Sequence, residues 1–204
     1  MEYFSLNYNA RDVGFLEAVT KGLAPDRGLY FPKQIPKLEQ DFINNLHQYS
    51  DHEIAYEVIK QYVGDDISSN DLKKIIQDTL SFNFPIIKIT NNIALLELFH
   101  GPTLAFKDVG ARFMARCLSY NNEIKKEGDL TILVATSGDT GGAVADGFYK
   151  VKGIDVIILY PKGKVSDIQE RQLTTLGENI IALEVDGTFA VSYTHLTLPT
   201  MFEV

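Results

Sequence analysis

The stretch Thr131-Ile132-Leu133-Val134-Ala135-Thr136-Ser137-Gly138-Asp139-Thr140-Gly141-Gly142 decides the fold class of this chain. It opens with apolar and β-branched residues that do not alternate with polar ones, in a run too short for a buried helix. Such a run reads as a strand covered on both faces, as in a parallel sheet. Hydroxyls, one carboxylate and three glycines then crowd into a turn, and the spacing beyond it predicts a helix over 142–149. Similar apolar runs lie at 93–99, 156–160 and 180–185. Between them, 107–120 predicts a helix with Val109, Phe113 and Cys117 aligned. Another is predicted over 166–176, with Ser166 and Gln169 as a capping box and Gly177 as its stop. Strands alternating with helices make this region α/β with a parallel sheet.

Upstream the rhythm is different. A short apolar face over 14–21 is followed by turns at Pro25, Gly28, Pro32 and Pro36. A longer helix is predicted over 51–63, where Ile54, Ala55, Val58, Ile59, Tyr62 and Val63 share one face. A third begins near Ser69 or Asn70 and turns Leu72, Ile75, Ile76 and Leu80 inward, with Pro85 as a stop. The expected organisation is a helical domain over 1–84 and an α/β region over 85–189.

Composition narrows the function classes. Nineteen basic against 27 acidic residues give a net charge of −8, which argues against a nucleic-acid or membrane-surface binder. The longest apolar run, at 156–160, falls far short of a bilayer span. The start, Met1-Glu2-Tyr3, lacks the basic-then-apolar order of a secretory signal. One cysteine, Cys117, leaves no internal disulfide framework and fits a reducing compartment, so a cytoplasmic location is expected.

Three loops follow three of the predicted strands, where α/β sheets place ligand sites. The first is His100-Gly101-Pro102-Thr103-Leu104-Ala105-Phe106-Lys107-Asp108. Lys107 falls in the first turn of a helix, among unpaired N–H groups of partial positive charge, and behind an apolar tripeptide. That field and partial burial both disfavour an ammonium, which makes the amine a candidate Schiff-base nucleophile; the plain alternative is a surface lysine. The second loop, 136–142, can offer backbone N–H groups to an anion, or can be simply a capped turn with glycines for close packing. The third, Pro161-Lys162-Gly163-Lys164, reads as a solvated turn.

Other motifs fail on spacing. Phe106 and Asp108 flank Lys107 where a nucleotide-binding P-loop needs glycine and a hydroxyl residue. His52-Glu53-Ile54-Ala55-Tyr56 puts tyrosine where a zinc-protease helix needs its second histidine. The histidines at 47, 52, 100 and 195 are scattered, so no metal site is indicated. Asp139-Thr140-Gly141 occurs once, whereas aspartic proteases need two such carboxylates.

In order and spacing, four segments resemble the threonine synthase family, pyridoxal-phosphate enzymes of the tryptophan-synthase-β fold type. They are Glu97-Leu98-Phe99-His100 running on through Lys107-Asp108, then Thr136-Ser137-Gly138-Asp139-Thr140-Gly141, then Ile158-Leu159-Tyr160-Pro161-Lys162-Gly163-Lys164, and Gly22-Leu23-Ala24-Pro25-Asp26-Arg27-Gly28-Leu29-Tyr30-Phe31-Pro32. The likeness runs from the start to about Phe189. It implies a PLP-dependent α/β enzyme with an N-terminal helical domain. It implies conversion of O-phospho-L-homoserine and water to L-threonine and phosphate. Lys107 would hold the cofactor as a Schiff base and then act as the acid–base group. Ser137, Gly138, Asp139, Thr140 and Gly141 would lie against cofactor and substrate, the loop receiving the substrate carboxylate. Relatives of the wider fold type carry asparagine at the place of Asp139, donating to the cofactor's phenolic oxygen. A carboxylate cannot donate unless protonated, so that role does not transfer, and the role of Asp139 stays open. Threonine dehydratase and cysteine synthase share the fold type and are the competing enzyme readings; a non-catalytic fragment is the third.

Beyond Phe189 the likeness stops. Val191-Ser192-Tyr193-Thr194-His195-Leu196-Thr197-Leu198-Pro199-Thr200 has no helical face and resembles the in-frame translation of a transposon-end sequencing adapter. Residues 190–204 are therefore read as a non-native tail. The cofactor's phosphate loop and the partner of its pyridine nitrogen are expected beyond 189, and the chain as written is expected to be an inactive fragment.

Overall fold

In the computed structural model, which describes residues 1–126 and 128–188, the chain divides into two units, Met1–Ser81 and Phe82–Val204. The tail assigned to 190–204 lies outside the described residues.

The first unit carries a small antiparallel ribbon, β1 (Tyr3–Ser5) against β2 (Tyr30–Pro32), and four α-helices. These are α1 (Phe15–Lys21), α2 (Gln40–Asn44), α3 (Asp51–Val63) and α4 (Ser69–Thr79). Ser50 and Glu53 satisfy each other's backbone N–H groups in a reciprocal box, which starts α3 where the spacing predicts it. Ser68, one residue earlier than expected, caps α4. Val63, Ile67, Leu72, Ile75 and Ile76 form the core. The ribbon is an addition to the expected helical region. Its three-residue strands are too short to show alternation, and they are tied by Asp26, which accepts from the Ser5 hydroxyl (2.5 Å) and the N–H groups of Asn9 (2.8 Å) and Gly28 (3.0 Å).

The second unit begins with a hairpin, β3 (Ile86–Lys88) and β4 (Ala94–Leu96), and continues through α5 (Asp108–Lys125), β5 (Leu130–Ala135), α6 (Asp139–Phe148), β6 (Ile154–Pro161), α7 (Asp167–Thr174) and β7 (Ile180–Val185). Strands β5, β6 and β7 form a parallel sheet in that order, with Ile132 opposite Val156 and Val156 opposite Ile180. Two expectations are corrected. The run at 93–99 does not join the parallel sheet: β4 pairs antiparallel with β3 across the polar turn Thr90-Asn91-Asn92. The outer strands are not covered on both faces either. Val156, Ile158 and Tyr160 of β6 are buried, but on the opposite face Leu133 is 57%, Ile181 48% and Leu183 46% exposed. An apolar run shows that a strand has no polar face; it does not show how many faces have neighbours.

Helices α5 and α6 pack at small residues. Gly147 lies so close that an added Cβ would stand 3.0 Å from the backbone carbon of Ala111. The buried stripe of α5 is accordingly Asp108, Ala111, Ala115 and Leu118, while the Val109 and Phe113 face expected from spacing is only half-buried. Cys117 is also fully buried. The contact is fastened by Arg112 Nη1 donating to Asp146 Oδ2 (3.3 Å) and Arg116 Nη1 to the Gly147 carbonyl (2.9 Å). Burial nevertheless raises the Asp146 carboxyl above its ordinary range, outweighing the neighbouring guanidinium. No described helix is long and apolar enough to cross a membrane.

Candidate active site

The site is built where two strands hand over to two helices. Following β4, the chain passes through a tight loop into α5, and Lys107 occupies the position before the first helical residue. Following β5, it bends at Thr136–Gly138 and enters α6 at Asp139. The Lys107 amine donates to Asp139 Oδ2 at 2.9 Å and lies 5.3 Å from the centroid of the Phe106 ring. The sequence placed this amine in apolar surroundings at a helix terminus; the structure instead makes it one half of an ion pair. The Lys107 hydrogen bond, helped by the N–H groups of Thr140 and Asp139 itself, holds the Asp139 carboxyl below the usual carboxylate range against a smaller opposing effect of burial.

The loop that carries Asp139 is shaped by Thr136. Its buried hydroxyl accepts from the N–H groups of Gly138 (3.0 Å) and Gly141 (2.8 Å), folding the strand end onto the helix start. Gly138 has φ +147°, and a Cβ there would stand 2.5 Å from the Gln169 amide, so only glycine fits. Ser137 is exposed at the bend, and the cap residue of α6, Gly138, makes no side-chain cap of its own, so Thr136 supplies the acceptor for the first turn. Of the residues singled out from sequence, Lys107 and Asp139 are in direct contact. Ser137, Gly138, Thr140 and Gly141 form the turn around them.

Beside Asp139 opens a cleft of about 410 Å³, lined by Phe99, Leu104 and Phe106 and by Ile168, Gln169 and Gln172 of α7. That volume lies within the roughly 300–1,000 Å³ of small-molecule sites. A larger groove in the first unit, about 700 Å³, holds Tyr49, Tyr56 and Lys73, but its Glu53 is already engaged in the capping box of α3.

Residues 2–80 match the family model described as threonine synthase N terminus. Across 190 residues the chain is 47% identical to threonine synthase of Buchnera aphidicola subsp. Baizongia pistaciae, covering 93% of this chain and 44% of that protein. The family this chain matches is threonine synthase. The chain is 39% identical to the threonine synthase of Escherichia coli K12, again over 93% of this chain and 44% of the relative. The crystal structure of PLP-bound threonine synthase from Brucella melitensis superposes with a TM-score of 0.92 at 35% identity, covering all of this chain and 45% of that one. The chain thus spans less than half the length of the threonine synthases it matches. Its mixed α/β architecture is theirs.

Three residues near the pair were not picked out as site residues from sequence. Gln169 was read only as a helix cap, yet its amide packs on Gly138 and lines the cleft. Gln172, three residues on and so on the same face of α7, donates through Nε2 to the Thr103 carbonyl at 3.3 Å. Asp108, next to the lysine, is buried. The i, i+3 spacing of the two glutamines was the available signal; Asp108 offered none beyond its neighbour.

Proposed function

We propose that this chain supplies the cofactor-holding lysine and the substrate-facing loop of a threonine synthase, which converts O-phospho-L-homoserine and water to L-threonine and phosphate with pyridoxal phosphate. Residues 1–84 would be its N-terminal helical domain and 85–189 the first part of its cofactor-binding region. The observation that carries the proposal is the 2.9 Å contact between Lys107 and Asp139, which joins the two family motifs at the starts of α5 and α6.

The residues present fit the cofactor in three respects. A primary amine stands at the start of α5, the Ser137 and Thr140 hydroxyls stand at the turn into α6, and an apolar-walled cleft of suitable size adjoins the carboxylate paired with that amine. When bound, pyridoxal phosphate supplies an electron sink for bond breaking next to the substrate's amino group. Lys107 would hold it covalently and, once displaced by the substrate amine, carry protons at Nζ. Asp139 would orient that Nζ and keep a negative charge beside it. Ser137 and Thr140 would meet the substrate carboxylate with their hydroxyls, while Gly138 and Gly141, whose N–H groups are held by the Thr136 hydroxyl, would shape the turn beneath it. Phe99, Leu104 and Phe106 would give the cleft an apolar lining.

The test is borohydride trapping of pyridoxal phosphate on the 204-residue chain, followed by peptide mass mapping. The label is expected on Lys107 and absent from Lys107→Ala. Equal labelling of Lys107→Ala, or label spread over the surface lysines, would refute the proposal.

A further inference from the structure

Asp108 is 1% exposed, although it is a carboxylate at the start of a helix and no cation is placed against it by any ion pair of the second unit described above. A buried carboxylate has to be matched by donors. Both come from one residue five positions back: the Thr103 N–H reaches Oδ2 at 3.0 Å, and the Thr103 hydroxyl donates to Oδ1. Gly101 completes the arrangement, since any side chain there would collide with the same carboxylate. Between these anchors the backbone is sharply folded. Leu104 N–H bonds to the Gly101 carbonyl and Asp108 N–H to the Ala105 carbonyl, both at 3.1 Å. Leu104 itself is held at φ +60°, a left-handed conformation that a leucine leaves unless its surroundings fix it. From the far side, Gln172 of α7 grips the Thr103 carbonyl.

We propose that Asp108 is a positioning residue whose buried carboxylate staples the 101–105 loop to the first turn of α5 and so aims the Lys107 amine at Asp139. Lys107 lies between the stapled loop and the helix. Its Cα–Cβ direction is set by that turn, and its Nζ arrives at hydrogen-bond distance from a carboxylate 32 residues away. Release of the staple would free Leu104, fray the first turn of α5 and let the long lysine chain sample other directions. The role assigned to Asp108 rests on the reading of Lys107 given above.

The experiment uses the 204-residue chain, pyridoxal phosphate itself as the probe, and two readouts: borohydride trapping at Lys107 and the NMR titration of the Asp139 carboxyl. Asp108→Asn keeps an acceptor for the Thr103 N–H and a donor for its hydroxyl, whereas Asp108→Ala keeps neither. Trapping is expected to fall about 10- to 100-fold in Asp108→Ala and to stay within about threefold of the parent in Asp108→Asn. The Asp139 carboxyl should move up into the ordinary range in Asp108→Ala and stay low in Asp108→Asn. A merely structural Asp108 would leave that titration unmoved in any variant that folds. A folded Asp108→Ala with parental trapping or a parental Asp139 titration overturns the proposal, as does an Asp108→Asn as impaired as the alanine variant. Should Asp108→Ala not fold, Thr103→Val, which removes one of the two donors, is judged by the same criteria. If the parent takes no label at Lys107 while Asp139 still responds to Asp108, the cofactor reading falls and the positioning role stands.

Discussion

At the scale of single residues, the Lys107–Asp139 pair has a definite pH signature. The folded-state pKa of Asp139 is lowered, chiefly by the Lys107 hydrogen bond. Its contribution to stability is therefore fully present above the unfolded value of about 3.9 and is lost as pH falls through the lower folded value. Between pH 5 and 8 the Asp139 carboxylate should add no pH dependence to stability. Because Asp139 is nearly half exposed, the pair belongs with the exposed ion pairs worth about 0–1 kcal/mol, and little of the fold's stability depends on it. Replacing Lys107 with methionine should raise the Asp139 titration into the ordinary carboxylate range, as read by carboxyl NMR; an unmoved titration would mean that the lysine is not what holds it down. Lys107, Gly138 and Asp139 were legible in the sequence because each sits in a strand–turn–helix pattern whose chemistry is local. The pairing of Lys107 with Asp139 was not, and neither was Gln172, whose partner Thr103 is 69 positions away. Only the fold brings such residues together.

At the scale of elements, the start of α5 and the start of α6 can meet only because the two helices approach closely at Gly147. Substituting valine there would push two branched methyls toward the backbone of Ala111 and Arg112. Overpacking of this kind costs about 1–3 kcal/mol. Gly147→Val should therefore lower the urea midpoint of the second unit and also weaken trapping at Lys107, although it lies two turns from the site. An unchanged midpoint would show that α5 and α6 have slack at this contact. The box of Ser166 with Gln169 made the start of α7 readable, and that of Ser50 with Glu53 is a local signal of the same kind for α3, whereas among consecutive serines the cap of α4 fell on Ser68, one residue before the expected one. Strand pairing was harder to read. The residues of β4 are as apolar as those of β6, and nothing within 93–99 says that its partner is the antiparallel β3. The buried stripe of α5 was misplaced for a related reason, since alanines facing a glycine leave a weaker hydrophobic pattern than the half-buried Val109 and Phe113 beside them.

At the scale of the whole molecule, two units with separate cores need not open together, and a single unfolding free energy would conflate them. Circular dichroism sums both. The lone cysteine does not. Cys117 is fully buried in α5, and burial pushes its thiol up to about 12. Since the thiolate is the reactive species, alkylation near pH 8 should be negligible in the native chain and rapid in urea. A thiol that reacts readily without denaturant would mean that the packing around α5 is not as described. Cys117 lies ten positions along the same helix from Lys107, about 15 Å at 1.5 Å per residue, so whatever loosens the helix enough to admit reagent also disturbs its first turn. One sulfur atom therefore serves as a native stopwatch: the rate at which it is capped times the opening of the half that holds the lysine and stays silent about the other half.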